Sequence, residues 1–323
     1  MRALTSTLIA FISLTSPTLA GDISFSPPID CTLGDTCYIQ NFVDADPNDT
    51  AADYTCGKLT YDGHKGTDFA LPTLKAMWQG VDVLTAAAGT VQGTRNHIAD
   101  HLQGVEGAPD ISGVECGNGV VIDHGDGWTT QYCHMMKGSV RVKTGDHVKA
   151  RTVLGLVGIS GHTQFPHVHI TIRKDEKVID PFNPNGVETC DTSGGETLWA
   201  DTLIHQSTGL LSVGITGHGF DYASIKKGTA HAETLMPDTS ELLVYGFAFG
   251  GKPGDVMRLS LVGPSQITAF YDVTVEEFKA LYARSFVKKT PRPWPTGKYI
   301  AMVQILRDGV VVDEKSNQTV VMP

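Results

Sequence analysis

Short β segments separated by glycine-rich turns fill residues 54–190, and no long amphipathic helix interrupts them. Runs of about four to eight apolar or alternating residues bounded by turn signals are typical of strands. Turn signals such as Gly125-Asp126-Gly127 fall between the runs. Candidate strands are 81–86, 118–123, 128–135, 139–143, 153–158 and 167–173. The pattern predicts an antiparallel β domain over residues 54–190.

A second β-rich region covers residues 208–323, after a predicted linker at 191–207. Candidate strands are 209–215, 240–248, 256–262, 266–272, 297–306 and 309–314. Asp308-Gly309 between two of these runs is a strong hairpin signal. One helix is predicted at 275–285, where Thr274 and Glu277 would form a capping box. The chain is therefore expected to be mainly β, with a C-terminal β-sandwich-like domain.

The first twenty residues, MRALTSTLIAFISLTSPTLA, have one basic residue, a short apolar stretch and small residues at the end. This arrangement is typical of a secretory signal peptide cut after Ala20. The alternative is an N-terminal membrane anchor, but the apolar stretch is short for a bilayer span. No cysteine follows Ala20 to carry a lipid. We expect an exported chain that does not span a membrane, with residues 21–53 forming an ordered lead-in.

The chain contains six cysteines, and an even count in an exported protein predicts three disulfides. Six cysteines allow fifteen pairings. A hairpin turning at residues 124–127 would bring Cys116 and Cys133 together near its open end. A short loop would be closed by Cys31 and Cys37. The favoured set is Cys31–Cys37, Cys116–Cys133 and Cys56–Cys190.

The charge balance excludes one class of partner. The chain has 35 acidic and 25 basic residues. Proteins that bind nucleic acid usually present basic surfaces to the phosphates. We therefore expect no nucleic-acid partner, while a cell-wall substrate remains compatible with this charge.

Five polar residues form the candidate site. His64 and Asp68 lie four apart in DGHKGTDFA, and His167 and His169 lie two apart in PHVHI, on one face of a strand. His134 ends a candidate strand. Each histidine alone is more often a core or surface residue than a ligand. Together, an arrangement of three ligands with one open position is typical of a catalytic rather than a structural zinc site.

The order of these segments resembles the lysostaphin/LytM-type zinc metallopeptidases, which cut peptidoglycan cross-bridges. HKGTDFA is similar to the family's His-x-Gly-x-Asp motif, and GNGVVIDHGDGWTTQYCHM to its His-containing hairpin. VKTGDHVKARTVLGLVGISG, PHVHI and KVIDPFNP resemble its later motifs. The resemblance covers about residues 60–185 and implies a LytM-type peptidase domain within 54–190.

The resemblance implies roles for the five residues. His64, Asp68 and His169 would hold one Zn²⁺ per chain, and His134 and His167 would be catalytic. The activity implied is a zinc metalloendopeptidase that hydrolyses peptidoglycan peptide cross-links. In the periplasm of a Gram-negative cell the favoured bond is D-alanyl–diaminopimelate. The sequence does not decide between the periplasm and secretion, and it predicts no particular protein partner.

Two positions depart from the family pattern. The family usually has Ser-Thr-Gly before Pro-His, whereas this chain has Thr163-Gln164-Phe165. The family usually has an acidic residue where this chain has Thr171. Both positions are expected near the cleft, so they affect substrate preference more than chemistry.

Two other functions are compatible with the sequence. A non-catalytic member of the same fold would act as a cell-wall scaffold or amidase activator. A secreted binding module would act through its C-terminal domain, in which we find no chemical motif.

Overall fold

The computed structural model describes residues 23–186, 190, 196–219, 221–290 and 293–323. The predicted signal peptide at 1–20 and part of the predicted linker at 191–207 lie outside these residues. No helix in the described ranges is long and apolar enough to cross a membrane. The N-terminal domain (described residues 23–186) contains β1 (Tyr38–Asn41), β2 (Thr67–Ala70), α1 (Leu74–Trp78), β3 (Asp82–Leu84), β4 (Gly89–Arg95), β5 (Asn118–Gly125), β6 (Trp128–Met135), β7 (His147–Val148), β8 (Val153–Leu156), β9 (His167–Lys174) and β10 (Lys177–Ile179).

The main sheet of the N-terminal domain has the strand order β1-β2-β9-β6-β5-β4-β7, with β10 paired to β9, and its neighbours are antiparallel. Strands β3 and β8 form a separate two-stranded sheet. Strand β1 belongs to the segment predicted as a lead-in, and its pairing with β2 makes that segment part of the sheet. The antiparallel β domain predicted from the turn pattern is confirmed.

The predicted strand at 139–143 is wrong. These residues form no strand, although the backbone N–H of Arg141 donates to the carbonyl of Leu154 at 2.8 Å. The alternation of Val140 and Val142 looked like a strand, but their side chains only pack at the edge of the core. Alternation alone does not guarantee a pairing partner.

The C-terminal domain is a sandwich of two sheets. Its elements are β11 (Gly209–Thr216), α2 (Tyr222–Lys227), β12 (Thr234–Leu235), β13 (Glu241–Gly251), β14 (Val256–Val262), β15 (Thr268–Thr274), β16 (Lys279–Lys289), β17 (Gly297–Arg307) and β18 (Val310–Val321). One sheet has the order β11-β13-β16, and the other β12-β18-β17-β14-β15. Val244 and Ala248 of the first sheet share a core with Leu259 and Val303 of the second. The sandwich-like prediction is confirmed.

Strand β13 is buried on both faces, so its sheet is the middle layer of the molecule. Alternation sends Val244 and Ala248 into the sandwich core, and Tyr245, Phe247 and Phe249 into the core of the N-terminal domain. The ring centroid of Phe249 lies 4.7 Å from that of Tyr38 in β1. A continuous apolar run is what such a doubly covered strand requires. The two domains therefore share a hydrophobic interface.

The predicted helix at 275–285 is also wrong, because most of it forms strand β16. Leu281 pairs with Phe249 of β13 and faces the N-terminal domain, whereas Tyr282 faces the sandwich core. Glu277 bonds the Lys279 ammonium instead of capping a helix. Burial on two faces of a sheet stabilises the strand more than local propensity stabilises a helix.

The predicted hairpin turn at Asp308-Gly309 and the predicted disulfides are confirmed. Asp308 and Gly309 have φ values of 51° and 78° in the β17–β18 hairpin. The favoured pairing is confirmed, since the disulfides are Cys31–Cys37, Cys56–Cys190 and Cys116–Cys133.

The burial of Asp180, which follows β10, predicts how the free energy of unfolding depends on pH. Its side chain is 1 % exposed. One oxygen accepts the N–H of Phe182 at 2.9 Å, and the other has no partner among the described residues. Burial, with a smaller contribution from the Asp53 carboxylate, raises the pKa of Asp180 from 3.8 to about 7. The folded state therefore binds this proton more tightly than the unfolded state.

The stabilisation from protonated Asp180 is complete below about pH 4 and is lost as pH rises through 7. Between pH 5 and 8 this loss amounts to about 3 kcal/mol in the free energy of unfolding. The variant Asp180→Asn keeps an acceptor for Phe182 and should lose less stability over that range, as measured by chemical denaturation. Asp201→Asn, at an exposed position, is the control. An unchanged pH dependence in Asp180→Asn would contradict the assignment.

Candidate metal centre and cleft

Three predicted ligands meet where β2 pairs with β9. Asp68 on β2 lies directly opposite His169 on β9, so both side chains leave the same face of the sheet. His64 precedes β2 in a turn closed by its N–H donating to the carbonyl of Tyr61. A Cβ at Gly66 would come within 2.6 Å of the His169 ring, so only glycine fits at this position. This packing explains the glycine of the His-x-Gly-x-Asp motif.

The three ligand atoms converge closely. His64 Nε2 lies 3.2 Å from Asp68 Oδ1 and 3.1 Å from His169 Nδ1, which lies 2.8 Å from Asp68 Oδ1. These three residues are the one group of potential metal ligands found among the described residues. The sequence-predicted ligand set is thus brought together.

The hydrogen bonds of two imidazoles determine which of their ring nitrogens face Asp68. His64 Nδ1 donates to the carbonyl of Phe42 at 2.6 Å, and His169 Nε2 lies 2.9 Å from the hydroxyl of Thr171. With these nitrogens as donors, lone pairs on His64 Nε2 and His169 Nδ1 point at the Asp68 carboxylate. Three electron-rich atoms about 3 Å apart repel one another unless a cation lies between them. Two imidazoles and a carboxylate are a donor set that suits zinc.

Asn41 holds the carboxylate ligand from the other side. Its side-chain N–H donates to Asp68 Oδ2 at 2.8 Å, leaving Oδ1 to face the imidazoles. Sequence reasoning missed Asn41, because the lead-in carried no motif and the pairing of β1 with β2 is a long-range contact. Burial opposes ionisation of Asp68, but positive charge at the His64 and His167 imidazoles would outweigh it and hold the pKa of Asp68 well below 3.8, so the carboxylate favours a positive charge at this centre.

The two predicted catalytic histidines face each other beside this group. The ring centroids of His134 and His167 lie 4.6 Å apart. His134 Nδ1 donates to the carbonyl of Ser160 at 2.8 Å, and His167 Nδ1 donates to the carbonyl of Phe165 at 2.9 Å. Both rings are therefore fixed with Nε2 free to accept a proton. Tyr132 donates no group to the cleft; its hydroxyl accepts the N–H of Ala86.

Burial keeps both imidazoles uncharged. It lowers the pKa of His134 well below 6.5, and the neighbouring imidazoles of His167 and His169 lower it further. Burial also lowers the pKa of His167, although the Asp68 carboxylate opposes the shift. Two imidazoles that stay neutral at neutral pH can each accept a proton transiently as a general base.

The backbone at His134 is strained and anchored. His134 has a φ of 62°, which is uncommon for a residue other than glycine. Its N–H donates to the carbonyl of Cys116 at 2.8 Å, and Cys116 is bonded to the preceding residue, Cys133. The disulfide therefore links the two segments whose backbone hydrogen bond fixes the conformation of His134.

We expect the double variant Cys116→Ser/Cys133→Ser to lose about 10- to 100-fold in kcat, because a small displacement of the imidazole costs rate. The matched control is Cys31→Ser/Cys37→Ser, which removes a disulfide outside the cleft. Steady-state kinetics below the unfolding temperature of both variants gives the comparison. Equal kcat values in the two variants would show that the Cys116–Cys133 bond has no positioning role.

Four of the five residues, Asp68, His134, His167 and His169, line a cleft with a volume of about 370 Å³. His64 does not line it, and its ring packs against that of Tyr61. Further lining residues are Asn41, Tyr61, His162, Thr163, Gln164 and Phe165. The Phe165 ring stacks on His167 with centroids 4.3 Å apart. The departure from the family pattern at residue 165 therefore forms a wall of the cleft, as expected. No sequence signal marked Tyr61 or His162.

Residues 62–181 match the family model described as Peptidase family M23. Over 120 residues the chain is 31 % identical to an uncharacterized metalloprotease of Buchnera aphidicola, covering 37 % of this chain and 26 % of that protein. Over 106 residues it is 36 % identical to the peptidoglycan DD-endopeptidase ShyA of Vibrio cholerae, covering 33 % and 19 %. The chain thus spans about a quarter or less of the length of these curated relatives.

Among solved structures, the chain is similar to a zinc-containing peptidase from Vibrio cholerae. The two are 23 % identical with a TM-score of 0.34, over 53 % of this chain and 41 % of that one.

Proposed function

Because residues 62–181 match the model of Peptidase family M23, we propose that this chain is a zinc metalloendopeptidase that hydrolyses peptide cross-links of peptidoglycan. One observation carries the proposal. The potential ligand atoms of His64, Asp68 and His169 converge with their lone pairs directed at one another. The neutral imidazoles of His134 and His167 lie beside them. A purely structural metal site would be closed by four protein ligands.

His64, Asp68 and His169 would hold one zinc ion per chain. Zinc in this setting supplies a Lewis acid that acidifies water and polarises a carbonyl. The protein residues supply the rest. Asn41 and the Phe42 carbonyl orient two of the ligands, so that little reorganisation accompanies the reaction.

His134 and His167 would transfer the proton. A peptide carbonyl placed in the cleft would lie against both imidazoles, since their rings form one wall of it. One imidazole would accept the proton of the attacking water at Nε2 and return it to the leaving amine as the peptide bond breaks. The other, when protonated, stabilises the negative charge that develops on the carbonyl oxygen.

The substrate proposal rests on the relatives and on the export that the sequence predicts. Two relatives from Vibrio cholerae, ShyA and ShyB, are named peptidoglycan DD-endopeptidases. We propose an exported, periplasmic or secreted enzyme whose target is the D-alanyl–diaminopimelate bond. The alternative of a non-catalytic scaffold or amidase activator finds no structural support, because such a protein does not need all five side chains to converge.

The experiment is digestion of a purified, cross-linked muropeptide dimer by the zinc-loaded chain, followed by chromatography. Conversion of the dimer to monomers is expected. An intact dimer, together with stimulation of an added amidase, would reject the proposal in favour of the scaffold.

A further inference from the structure

A lysine of the C-terminal domain lies at the seam between the domains, beside the cleft. Lys226 on α2, with Phe247 and Leu281 of the same domain, faces Gln164 and Phe165 of the N-terminal domain. These residues surround an opening of about 10 Å³, which is room for one water-sized group. Lys226, Gln164 and Tyr38 supply the polar side-chain groups at the seam, and its other lining side chains are apolar.

The ammonium of Lys226 lacks an anionic partner among the described residues. Burial alone lowers its pKa, and no charged neighbour contributes to the shift. The centroid of the Tyr222 ring lies 5.8 Å from Nζ. A half-buried ammonium without a counter-ion is unfavourable. Lys226 Nζ is not among the fully buried atoms without a partner, so the ammonium is accessible to a negative group that enters the seam.

The opening adjoins the cleft across the side chain of Phe165. Gln164 and Phe165 line both, and the Phe165 ring is stacked on the His167 imidazole. A group held at the seam would be separated from His167 by about the thickness of one phenyl ring. A peptide that passes around the edge of the Phe165 ring would bring a neighbouring side chain or chain end to Lys226.

We propose that Lys226 binds a carboxylate of the peptidoglycan peptide while the cross-link occupies the cleft. This inference rests on the proposed function and adds a subsite that the C-terminal domain provides. Stem peptides carry free carboxylates, and the opening admits a single carboxylate oxygen rather than a whole side chain. The Gln164 amide can donate to the same oxygen. The C-terminal domain would thus select substrate, although it lies outside the matched residues 62–181.

The neighbouring residue Lys227 gives a matched control. Both lysines lie in the last turn of α2, where a cation is favourable, but Lys227 is exposed. The variants to compare are Lys226→Met, Lys226→Arg and Lys227→Met. Each is assayed on a cross-linked muropeptide and on the same compound with its free carboxylates amidated.

We expect Lys226→Met to raise KM for the free-acid substrate about 10-fold with little change in kcat. Lys227→Met should behave as wild type, and Lys226→Arg should recover much of the affinity. Amidation should raise the KM of the wild type and leave that of Lys226→Met unchanged. Equal KM values for Lys226→Met and Lys227→Met, or equal effects of amidation in both, would overturn the subsite.

A failure of the proposed function is distinguishable from a failure of the subsite. If the wild type cleaves neither substrate, calorimetric binding of the same two compounds replaces KM. Weaker binding of the free acid to Lys226→Met alone would still support the subsite, and equal binding to all variants would reject it.

Discussion

Replacing His64 with alanine should remove zinc and cleavage together. The remaining ligands, Asp68 and His169, cannot hold the ion tightly, because zinc sites of this kind use three protein ligands. We expect the zinc content to fall from one per chain toward zero and kcat/KM to fall by about 10³-fold or more. Elemental analysis and muropeptide kinetics on the same preparation measure both quantities.

The control for this variant is His147→Ala. His147 is exposed on β7, its Nδ1 lies 2.9 Å from the hydroxyl of Thr90, and it lies outside the cleft. It should retain zinc and activity. Full cleavage by His64→Ala, or loss of zinc without loss of cleavage, would show that the ligand assignment is wrong.

The variant His134→Ala should separate chemistry from metal binding. His134 is not one of the three residues that could hold the metal, His64, Asp68 and His169. Its ring contacts that of His167 across the cleft. We therefore expect kcat to fall by about 10²- to 10⁴-fold, as for the loss of a general acid or base. The zinc content should stay at one per chain, which elemental analysis would verify alongside kinetics.

His218→Ala, at an exposed position of the C-terminal domain, provides the comparison for His134→Ala. A loss of zinc in His134→Ala that equals the loss in His64→Ala would mean that His134 binds the metal. An unchanged kcat would remove it from the catalytic machinery.

The candidate site was largely predictable from sequence because each of its motifs is a short stretch of the chain, although the strand pair that joins them is long-range. Asp68, His167 and His169 are placed by strand alternation, which the sequence displays directly. Their convergence with His64 follows from one turn and one strand pair. The resemblance to a known family supplied the roles that spacing alone left open.

The residues that support the site were not predictable, since they arrive through long-range contacts. Asn41 reaches Asp68 from a segment with no motif, and Lys226 reaches the cleft wall from the other domain. The error at 275–285 has the same origin. Leu281 is needed on a sheet face that covers the N-terminal domain, and no local pattern reveals that this face exists.

One measurement tests the central claim most directly: mass spectrometry of muropeptides released from purified peptidoglycan, with and without a chelator. We predict that cross-linked dimers become monomers cut at the D-alanyl–diaminopimelate bond, that chelation stops this, and that added zinc restores it. Intact cross-links after treatment with the zinc-loaded chain would contradict the account. Cleavage that continues undiminished in the chelator would contradict it equally.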